Sequence, residues 1–517
     1  MASLVALGIL FSRLTGLIRQ RVFAHYFGLQ SDAADAFMAA FRIPNVLQNL
    51  FGEGALSASF IPVYASLLAR GDRREATRVA GAVVALLSLV TAVLVLLGVL
   101  LTPLLIALIA PGFTGAKRDL TIAIVRVLFP GAGLLVLSAW CLGILNSHRK
   151  FLLSYTAPVI WNVAMIVTLV VWGARVPLPE LAVILAWGSV CGSALQFLVQ
   201  LPAIRRLVPD LRVRLEFSEH VRTTVRNFVP VFISRGVVQI SAYIDALLAS
   251  LLPTGAVTGL ANAQLLYTLP VSLFGMSVSA AELRAMSGAA GLNATEELRE
   301  RLNNGLRQIA YFVVPSAVAF VALGDVIAAA LFQTGRFTHE DAIYVWGILA
   351  GSAIGLVAST LGRLYSSTYY ALRDTRTPLR YALLRMVLTT VLGYLAAIVL
   401  PPRLGIDRLW GTAGLTASAG VSGWIEFLLL RRTLNGRIGQ TGLTAVYSTR
   451  LWIAAVAGAG IAWAIKITIT TLPPIPVAAA TLVPYGLVYF GVTFWSGIPE
   501  ARLLLSRARR RTRAWPS

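Results

Sequence analysis

The chain has 517 residues, of which 57% are hydrophobic and 13% charged, and its mean hydropathy is +0.77. A soluble domain carries about a quarter charged residues, so this composition excludes an ordinary soluble fold and indicates a helical membrane protein. The formal net charge of +22 does not indicate nucleic-acid binding, because the 44 lysine and arginine residues sit in short segments between apolar runs, as topology signals do.

Long apolar runs repeat from one end of the chain to the other, and many reach the roughly 20 residues that span a bilayer as a helix. We therefore predict an all-α polytopic membrane protein with about 14 transmembrane helices, separated by short connections rich in proline and glycine. In chain order the predicted spans are 3–27, 32–61, 79–109, 121–146, 153–174, 180–203, 224–252, 259–284, 306–333, 341–370, 379–400, 409–432, 450–472 and 477–499.

The first apolar run is interpreted as a retained helix and not as a signal peptide, because arginines interrupt it from Arg13 onward and no cleavage site follows. Most lysines and arginines fall in every second connection, namely 63–78, 149–150, 204–226, 284–307, 373–385, 431–450 and the tail 507–513. The positive-inside rule places these segments in the cytoplasm. The sequence thus predicts a multi-pass protein of the bacterial inner membrane with both termini cytoplasmic.

The longest basic connection separates two blocks of six predicted helices. Two such halves around a cavity at the bilayer midplane are a recurring plan of transporters. We expect an N-terminal lobe at 1–203, a cytoplasmic linker at 204–223, a C-terminal lobe at 224–432, helices 13 and 14 at 433–503 and a basic cytoplasmic tail at 504–517.

Polar and ionisable residues concentrate in the first two predicted helices, although a charge at bilayer depth costs a few kcal/mol on insertion scales. At 100° per residue, a stripe about 40° wide on the second helix holds Asp35, Arg42, Asn49 and Glu53, and such a stripe can line an aqueous cavity. Pro44 frees a backbone carbonyl on the same helix. The candidate cavity residues are Ser12, Arg13, Gly16, Arg19, Asp35, Arg42, Asn45, Asn49 and Glu53.

These charges have two interpretations. Either they pair among themselves or reach the interface, as long charged side chains usually do, or they line a cavity for a ligand. For the groups close to helix ends, the two interpretations have equal support. For Arg13, Arg19 and Arg42 the ligand cavity is favoured, because these three cations outnumber the nearby acids. Guanidinium groups bind phosphate oxygens two at a time, so a cationic cavity indicates a phosphate-bearing ligand.

A second pair of ionisable residues, Arg235 and Asp245, falls in the seventh predicted helix. Asp245 is the only acid in the interior of that span, and it binds a coupling cation, pairs with Arg235 or pairs with the first helix. No nucleotide-binding loop, metal-ligand spacing or nucleophile–base pair occurs in a soluble segment, so we expect neither an enzyme nor a cofactor or metal site. Cys141 and Cys191 lie inside apolar spans, which predicts packing residues and no disulfide.

Five segments together resemble the MurJ/MviN family of lipid II flippases. The stretch FSRLTGLIRQRVFAHYFGLQSDAADAFMAAFRIPNVLQNLFGEGALSASFIPVY (11–64) resembles the family's amino-terminal signature. It is followed, in the family's order and spacing, by APGF (110–113), LNSHRKFLLSYTAPVIWN (145–162), LFQTGRFT (331–338) and YALRDTRTP (370–378). Any one of these segments alone is a weak signal, whereas together they are specific and extend over essentially the whole chain.

The resemblance implies a MATE-like two-lobe fold of the multidrug/oligosaccharidyl-lipid/polysaccharide exporter superfamily, with two extra carboxy-terminal helices whose groove holds a polyprenyl tail. It implies a flippase that moves lipid II, the undecaprenyl-pyrophosphate-linked disaccharide-pentapeptide, to the outer leaflet by alternating access for peptidoglycan synthesis. Arg13 and Arg19 match the family's cavity arginines, and Asp35 and Glu53 match its acids in helix 2. The implied partners are lipid II, membrane lipids and the cell-wall synthesis machinery.

The sequence departs from the family in two helices. Leu265 replaces an arginine that is usual in helix 8, and Thr389 and Gly393 replace an asparagine and an acid that are common in helix 11. Three functions therefore stay open on the sequence: lipid II flipping, export of another lipid-linked oligosaccharide or a drug on the same fold, and a non-transporting paralogue that serves as a membrane scaffold. Retention of the cavity charges favours transport.

Overall fold

A computed structural model describes residues 2–292, 294–469 and 472–504, and these ranges are helical almost throughout. Two short segments, Val271–Met276 and Leu395–Val399, are π-helical, and Arg408–Trp410 is a 3₁₀ turn. The α-helices of the described residues are α1 (Ala2–Phe27), α2 (Asp32–Phe51), α3 (Glu53–Ala69), α4 (Arg73–Leu100), α5 (Thr102–Ile109), α6 (Gly115–Ser147), α7 (Phe151–Trp172), α8 (Leu178–Leu207), α9 (Glu219–Ser250), α10 (Ala256–Pro270), α11 (Ser277–Gly291), α12 (Thr295–Ala322), α13 (Gly324–Phe332), α14 (His339–Ala371), α15 (Arg376–Tyr394), α16 (Leu400–Arg403), α17 (Gly411–Ile438), α18 (Ala445–Thr468) and α19 (Pro474–Trp495).

Eleven helical stretches within the described residues are long and apolar enough to cross a membrane. They confirm the all-α polytopic class, whereas the count of about 14 spans stays a prediction. The predicted spans outside this set are the first, second and seventh, which correspond to α1, α2 with α3, and α9. These are the helices that carry the candidate cavity and coupling residues, and their charges lower the hydropathy of any window that includes them.

Several predicted spans are interrupted helices. Span 32–61 breaks between α2 and α3 at Gly52, span 79–109 breaks at Leu101, and span 306–333 breaks at Leu323. In span 259–284 a π-helical turn begins directly after Pro270, whose nitrogen has no hydrogen to continue the α-helical ladder. The helices that were expected to be continuous are therefore interrupted within the bilayer-length runs.

The chain divides into two compact units, Met1–Thr258 with Thr334–Phe337 and Gly259–Gln333 with Thr338–Ser517. In the first unit, α6 packs against α2, α3, α4 and α8, and α1 packs on α7. The helix α9 also packs within this unit, against α2 and α3. The predicted C-terminal lobe begins earlier, at 224, and the two-lobe boundaries stay a prediction.

In the second unit, α14 packs along α17 and on α12, while α15 packs on α17 and α18 on α19. Glycines let α14 and α17 approach closely, because a Cβ added at Gly355 would lie 2.4 Å from the Cα of Gly420. Small residues at such crossings are the usual means by which membrane helices pack. The pair α14–α17 therefore forms the buried centre of the second unit.

The turn Thr334–Phe337 closes on the carboxyl end of α1, within the first unit. The backbone N–H of Arg336 donates to the carbonyl of His25 at 2.9 Å, and the His25 ring is hydrogen-bonded to the hydroxyl of Thr334 at 2.8 Å. Gly335 has a φ of +55°, and a Cβ there would lie 2.4 Å from the His25 carbonyl oxygen, so the position requires glycine. The segment LFQTGRFT thus has a structural role, because the turn that it contains is attached to α1.

Candidate substrate-binding site

The arginine-bearing face of α1 carries the first residues of the predicted cavity. Arg13 is exposed, and Ser12 and Gly16 are half-buried. A Cβ added at Gly16 would meet no atom within 4 Å among the described residues, so the helix is open at this point. An open face that presents a guanidinium is typical of a cavity lining and not of a helix–helix contact.

Arg19 is held against two aromatic rings. Its guanidinium carbon lies 4.9 Å from the ring centroid of Trp161 and 5.5 Å from that of Phe41, and the two rings stack at 5.7 Å. The indole N–H of Trp161 donates to the carbonyl and hydroxyl oxygens of Ser189 at 3.2 and 3.1 Å, which fixes the ring. Because the faces of aromatic rings attract cations, this arrangement orients the Arg19 guanidinium.

Arg42, on α2, is adjoined by two residues of α9. The hydroxyl of Tyr243 donates to the carbonyl of Arg42 at 2.7 Å, and both Tyr243 and Asp245 lie within electrostatic range of the Arg42 guanidinium. Asp245 therefore has an arginine of the second helix as a neighbour. The sequence did not indicate this neighbour. The opposite charges offset each other inside the first unit, where an isolated charge would be costly.

The remaining polar positions of this stripe are described in part. Asn45 is half-buried and Asn49 is exposed. The side chains of Glu53 and Arg235 lie outside the part of the chain that the structure describes. Their roles, and the expected common orientation of Glu53 with Arg42, stay predictions.

Asp35 lies at the other end of α2, and its carboxylate is buried with only 1% of the residue exposed. It accepts four hydrogen bonds, from Lys117 Nζ at 2.9 Å, Gly255 N at 2.9 Å, Thr258 N at 2.9 Å and Thr258 Oγ1 at 2.7 Å. An ionised carboxylate has about four acceptor positions, so these donors saturate it. In this conformation Asp35 ties α2 to the start of α6 and to the start of α10.

The helices α18 and α19, which correspond to predicted helices 13 and 14, are attached to α12 by tyrosine hydroxyls. Tyr489 donates to the carbonyl of Tyr311 at 2.6 Å, and Tyr485 donates to the carbonyl of Pro315 at 2.6 Å. Because Pro315 has no N–H, the Tyr311 carbonyl lacks its helical partner four residues on, and the Tyr489 hydroxyl replaces that partner. The proline in α12 thus creates the acceptor that holds α19.

Next to this contact, an apolar cavity of about 350 Å³ lies between α10, α12 and α19. Its lining is nearly all hydrocarbon, so it suits an acyl or prenyl chain and not a sugar or a phosphate. Tyr485 is the one residue of 433–503 in its lining, and the predicted lipid-tail groove of helices 13 and 14 stays a prediction. The other lining residues include Leu266, Leu273, Phe274, Phe320 and Leu331.

Sequence reasoning missed several residues of this site. In the sequence Trp161 and Phe41 stand only within segments that carry the family resemblance, and Tyr243 and Lys117 belong to no motif. Each of them acts on a residue of a different helix, so no periodicity within one helix connects the two. The only available signal was an aromatic or basic residue near polar positions in an otherwise apolar run.

Comparison with known proteins gives a consistent family. A family model described as lipid II flippase MurJ matches residues 23–478. The lipid II flippase MurJ of Burkholderia cenocepacia is 32% identical over 508 residues, which cover 95% of this chain and 96% of that protein. The probable lipid II flippase MurJ of Bdellovibrio bacteriovorus is 32% identical over 440 residues, which cover 83% of this chain and 80% of that protein.

Solved structures show the same fold. The inward closed conformation of a lipid II flippase MurJ aligns with a TM-score of 0.76 at 24% identity and covers 95% of this chain and 98% of its own. An inward-facing MATE-family multidrug transporter aligns with a TM-score of 0.67 at 19% identity and covers 82% of this chain and 95% of its own. Because the family model covers most of the sequence and relatives match nearly end to end, this chain belongs to the MurJ family of lipid II flippases.

Proposed function

We propose that this protein moves lipid II from the inner to the outer leaflet of the bacterial cytoplasmic membrane by alternating access. Membership of the family supports the substrate. The observation that carries the proposal is the oriented guanidinium of Arg19, which lies on the same helix as the open position at Gly16. Guanidinium binds phosphate oxygens in a bidentate manner, and lipid II presents a pyrophosphate.

The residues of the first unit have different roles in binding lipid II. Arg13, Arg19 and Arg42 neutralise the pyrophosphate, and the other polar cavity residues contact the polar atoms of the head group. Asp35 has a different part in the conformation described, because its carboxylate is saturated by donors from α6 and the start of α10. It holds the helices around the site in position. The remaining proposed contacts to the substrate come from Ser12, Gly16, Asn45, Asn49 and Glu53.

The distribution of basic residues supports an orientation with both termini in the cytoplasm. The tail RARRRTR (507–513) lies outside the described residues, and its charge alone supports its side of the membrane. A reporter that is active only in the periplasm, fused after Ser517, is expected to stay silent. Strong periplasmic activity would reverse the proposed topology.

The proposal also covers the energy source of transport and the partners of the protein. The family consists of transporters, and we infer that this chain hydrolyses no nucleotide, because its connections contain no phosphate-binding loop sequence. The lipids of the membrane and the cell-wall synthesis machinery that consumes lipid II are its proposed neighbours. Purified protein in proteoliposomes without nucleotide is expected to flip lipid II, and an absolute requirement for ATP would contradict this inference.

The substitution Arg19→Ala tests the proposed site. Loss of a charge-assisted contact to phosphate is expected to slow flipping of lipid II in proteoliposomes roughly 10- to 100-fold, with protein abundance unchanged. Arg19→Lys keeps the charge but not the bidentate geometry, and it is expected to fall between Ala and wild type. Flipping at the wild-type rate by Arg19→Ala would overturn the pyrophosphate role.

A control variant and a complementation assay complete this test. Arg175→Ala removes an exposed arginine from a connection outside the site, and it is expected to flip normally. Wild-type protein is also expected to support growth of a strain depleted of its own lipid II flippase. Transport of another lipid-linked saccharide but not lipid II would identify a different exporter, and transport of neither by well-inserted protein would identify a scaffold.

A further inference from the structure

A cavity of about 880 Å³ lies in the first unit, where the ends of α4, α6 and α8 meet the connection after α8. None of the residues that line it belongs to the candidate substrate site. The charged residues of its lining are six arginines and two acids. We call this cavity the cationic basin; these residues are Arg73, Arg74, Arg78, Arg206, Arg212, Arg214, Asp210 and Glu216.

The positive charge of the cationic basin is only partly compensated by the protein. Only Arg78 makes an ion pair within the described residues, with Glu75 at 3.7 Å, and the other five arginines make none there. In other parts of the described chain arginines do pair, for example Arg385 with Glu426 at 3.1 Å and Arg437 with Asp374 at 2.7 Å. Like charges gathered in a concave surface attract an anion from outside.

The cationic basin is a built feature of the first unit. The buried hydroxyl of Tyr64 is hydrogen-bonded to Nε2 of His148 at 3.0 Å in its wall. Burial, and then the nearby Arg73, lower the pKa of His148, because both disfavour the charged imidazolium. The main chain at Arg212 packs directly against α4, because a Cβ added at Gly81 would lie 2.1 Å from the carbonyl oxygen of Arg212.

A second cavity, of about 560 Å³, adjoins the cationic basin and shares Arg206 and Leu207 with it. We call it the apolar groove, because aliphatic and aromatic side chains dominate its lining between the start of α7 and the end of α8. Both helices are long and apolar enough to cross a membrane, so the groove lies where a span meets the water. Its other lining residues are Arg149, Lys150, Phe151, Leu152, Leu153 and Ala203.

We propose that the cationic basin and the apolar groove together bind an anionic glycerophospholipid of the adjacent leaflet. The phosphate of the lipid lies among the arginines of the basin, and an acyl chain lies in the groove beyond Arg206. A free phosphate compound would use the basin and leave the groove empty, whereas a phospholipid uses both at their shared edge. Basic residues at the cytoplasmic end of membrane helices are the usual recognition element for such lipids.

Native mass spectrometry of the full-length protein titrated with phosphatidylglycerol tests this site. The double substitution Arg206→Gln with Arg212→Gln is expected to weaken phosphatidylglycerol binding roughly 30-fold, on the scale of two basic residues at an anionic surface. The matched control is Arg376→Gln with Arg380→Gln, two exposed arginines on the same basic side of the chain in α15. It is expected to bind as the wild type does. Equal weakening by both pairs would overturn a specific site.

Two further measurements keep the test decisive if the arginine variant does not fold. Wild-type protein is expected to prefer phosphatidylglycerol over phosphatidylcholine, and Ala203→Trp, which fills the apolar groove, is expected to remove that preference. Inorganic phosphate is expected to compete only weakly with the lipid. Equal binding of the two lipids, or unchanged binding by Ala203→Trp together with strong competition by phosphate, would show that no phospholipid occupies the site.

Discussion

At the scale of single residues, the position of Arg19 depends on Trp161. The indole ring lies 4.9 Å from the guanidinium carbon and is itself fixed by Ser189. A cation–π contact contributes about 0.5–2 kcal/mol, depending on how well it is desolvated. We therefore expect Trp161→Ala to slow lipid II flipping about 2- to 30-fold, because Arg19 keeps its charge but loses its orientation.

Two controls separate this effect from a loss of stability. Trp161→Phe retains an aromatic face and is expected to retain most of the activity. Trp172→Ala removes a more exposed tryptophan from the same helix, and it is expected to flip lipid II normally. The flipping rate in proteoliposomes at equal protein content decides the matter. If Trp161→Ala flips at the wild-type rate, Arg19 is oriented by other groups.

The charged residues of this site could be predicted, but their partners could not. Arg19 and Arg42 stand out because an arginine inside an apolar span is rare and calls for an explanation. The tryptophan that holds Arg19 stands in an apolar span where an aromatic residue is ordinary. Asp35 illustrates the same limit, because its four donors come from residues 117, 255 and 258, far away in the sequence.

At the scale of helices, the attachment of α19 to α12 depends on one hydroxyl. Pro315 has no N–H to donate to the Tyr311 carbonyl. Among the described residues, only the Tyr489 hydroxyl donates to this carbonyl in its place. Leaving a buried carbonyl without a partner costs about 1–3 kcal/mol. We expect Tyr489→Phe to lower the thermal unfolding midpoint of the purified protein.

The neighbouring tyrosine provides a matched control. Tyr485 is similarly buried and donates to the carbonyl of Pro315, which keeps the N–H of residue 319 as its ordinary helical partner. Tyr485→Phe is therefore expected to destabilise the protein less than Tyr489→Phe. Equal shifts of the midpoint by the two variants would show that the proline does not determine the strength of this contact.

The helices themselves were largely predictable, whereas their interruptions were not. Hydropathy places the ends of α7, α8 and α14 within four residues of their predicted spans and those of α6 within six. A window of hydropathy is unchanged by a kink, so it gives no indication of the breaks at Leu101 and Leu323 or of the π-helical turn after Pro270. Prolines alone do not locate breaks either, because Pro130 lies inside the continuous helix α6.

At the scale of the whole molecule, the sequence predicts the membrane class, the family and the side of the basic residues. The structure adds the surroundings of the two sets of arginines in the first unit. Arg19 and Arg42 have protein neighbours that orient them or offset their charge, whereas the arginines of the cationic basin lie in an exposed concave surface. The sequence separates the arginines inside the first two spans from those of the basic connections, but it does not show which of them have protein neighbours.

The last prediction concerns the ion that drives transport, and it rests on Asp245 and two residues of α15. Asp245 has the Arg42 guanidinium as an electrostatic neighbour, so a sodium ion would have to compete with a fixed positive charge. Thr389 offers one neutral oxygen and Gly393 offers no side chain at positions where the family often has an asparagine and an acid. We therefore expect flipping to depend on membrane potential or protons and to be insensitive to sodium. Proteoliposomes in which sodium is replaced by potassium or choline, at fixed pH and potential, measure this directly. A clear loss of flipping without sodium would show that other oxygen ligands complete a sodium site around Asp245.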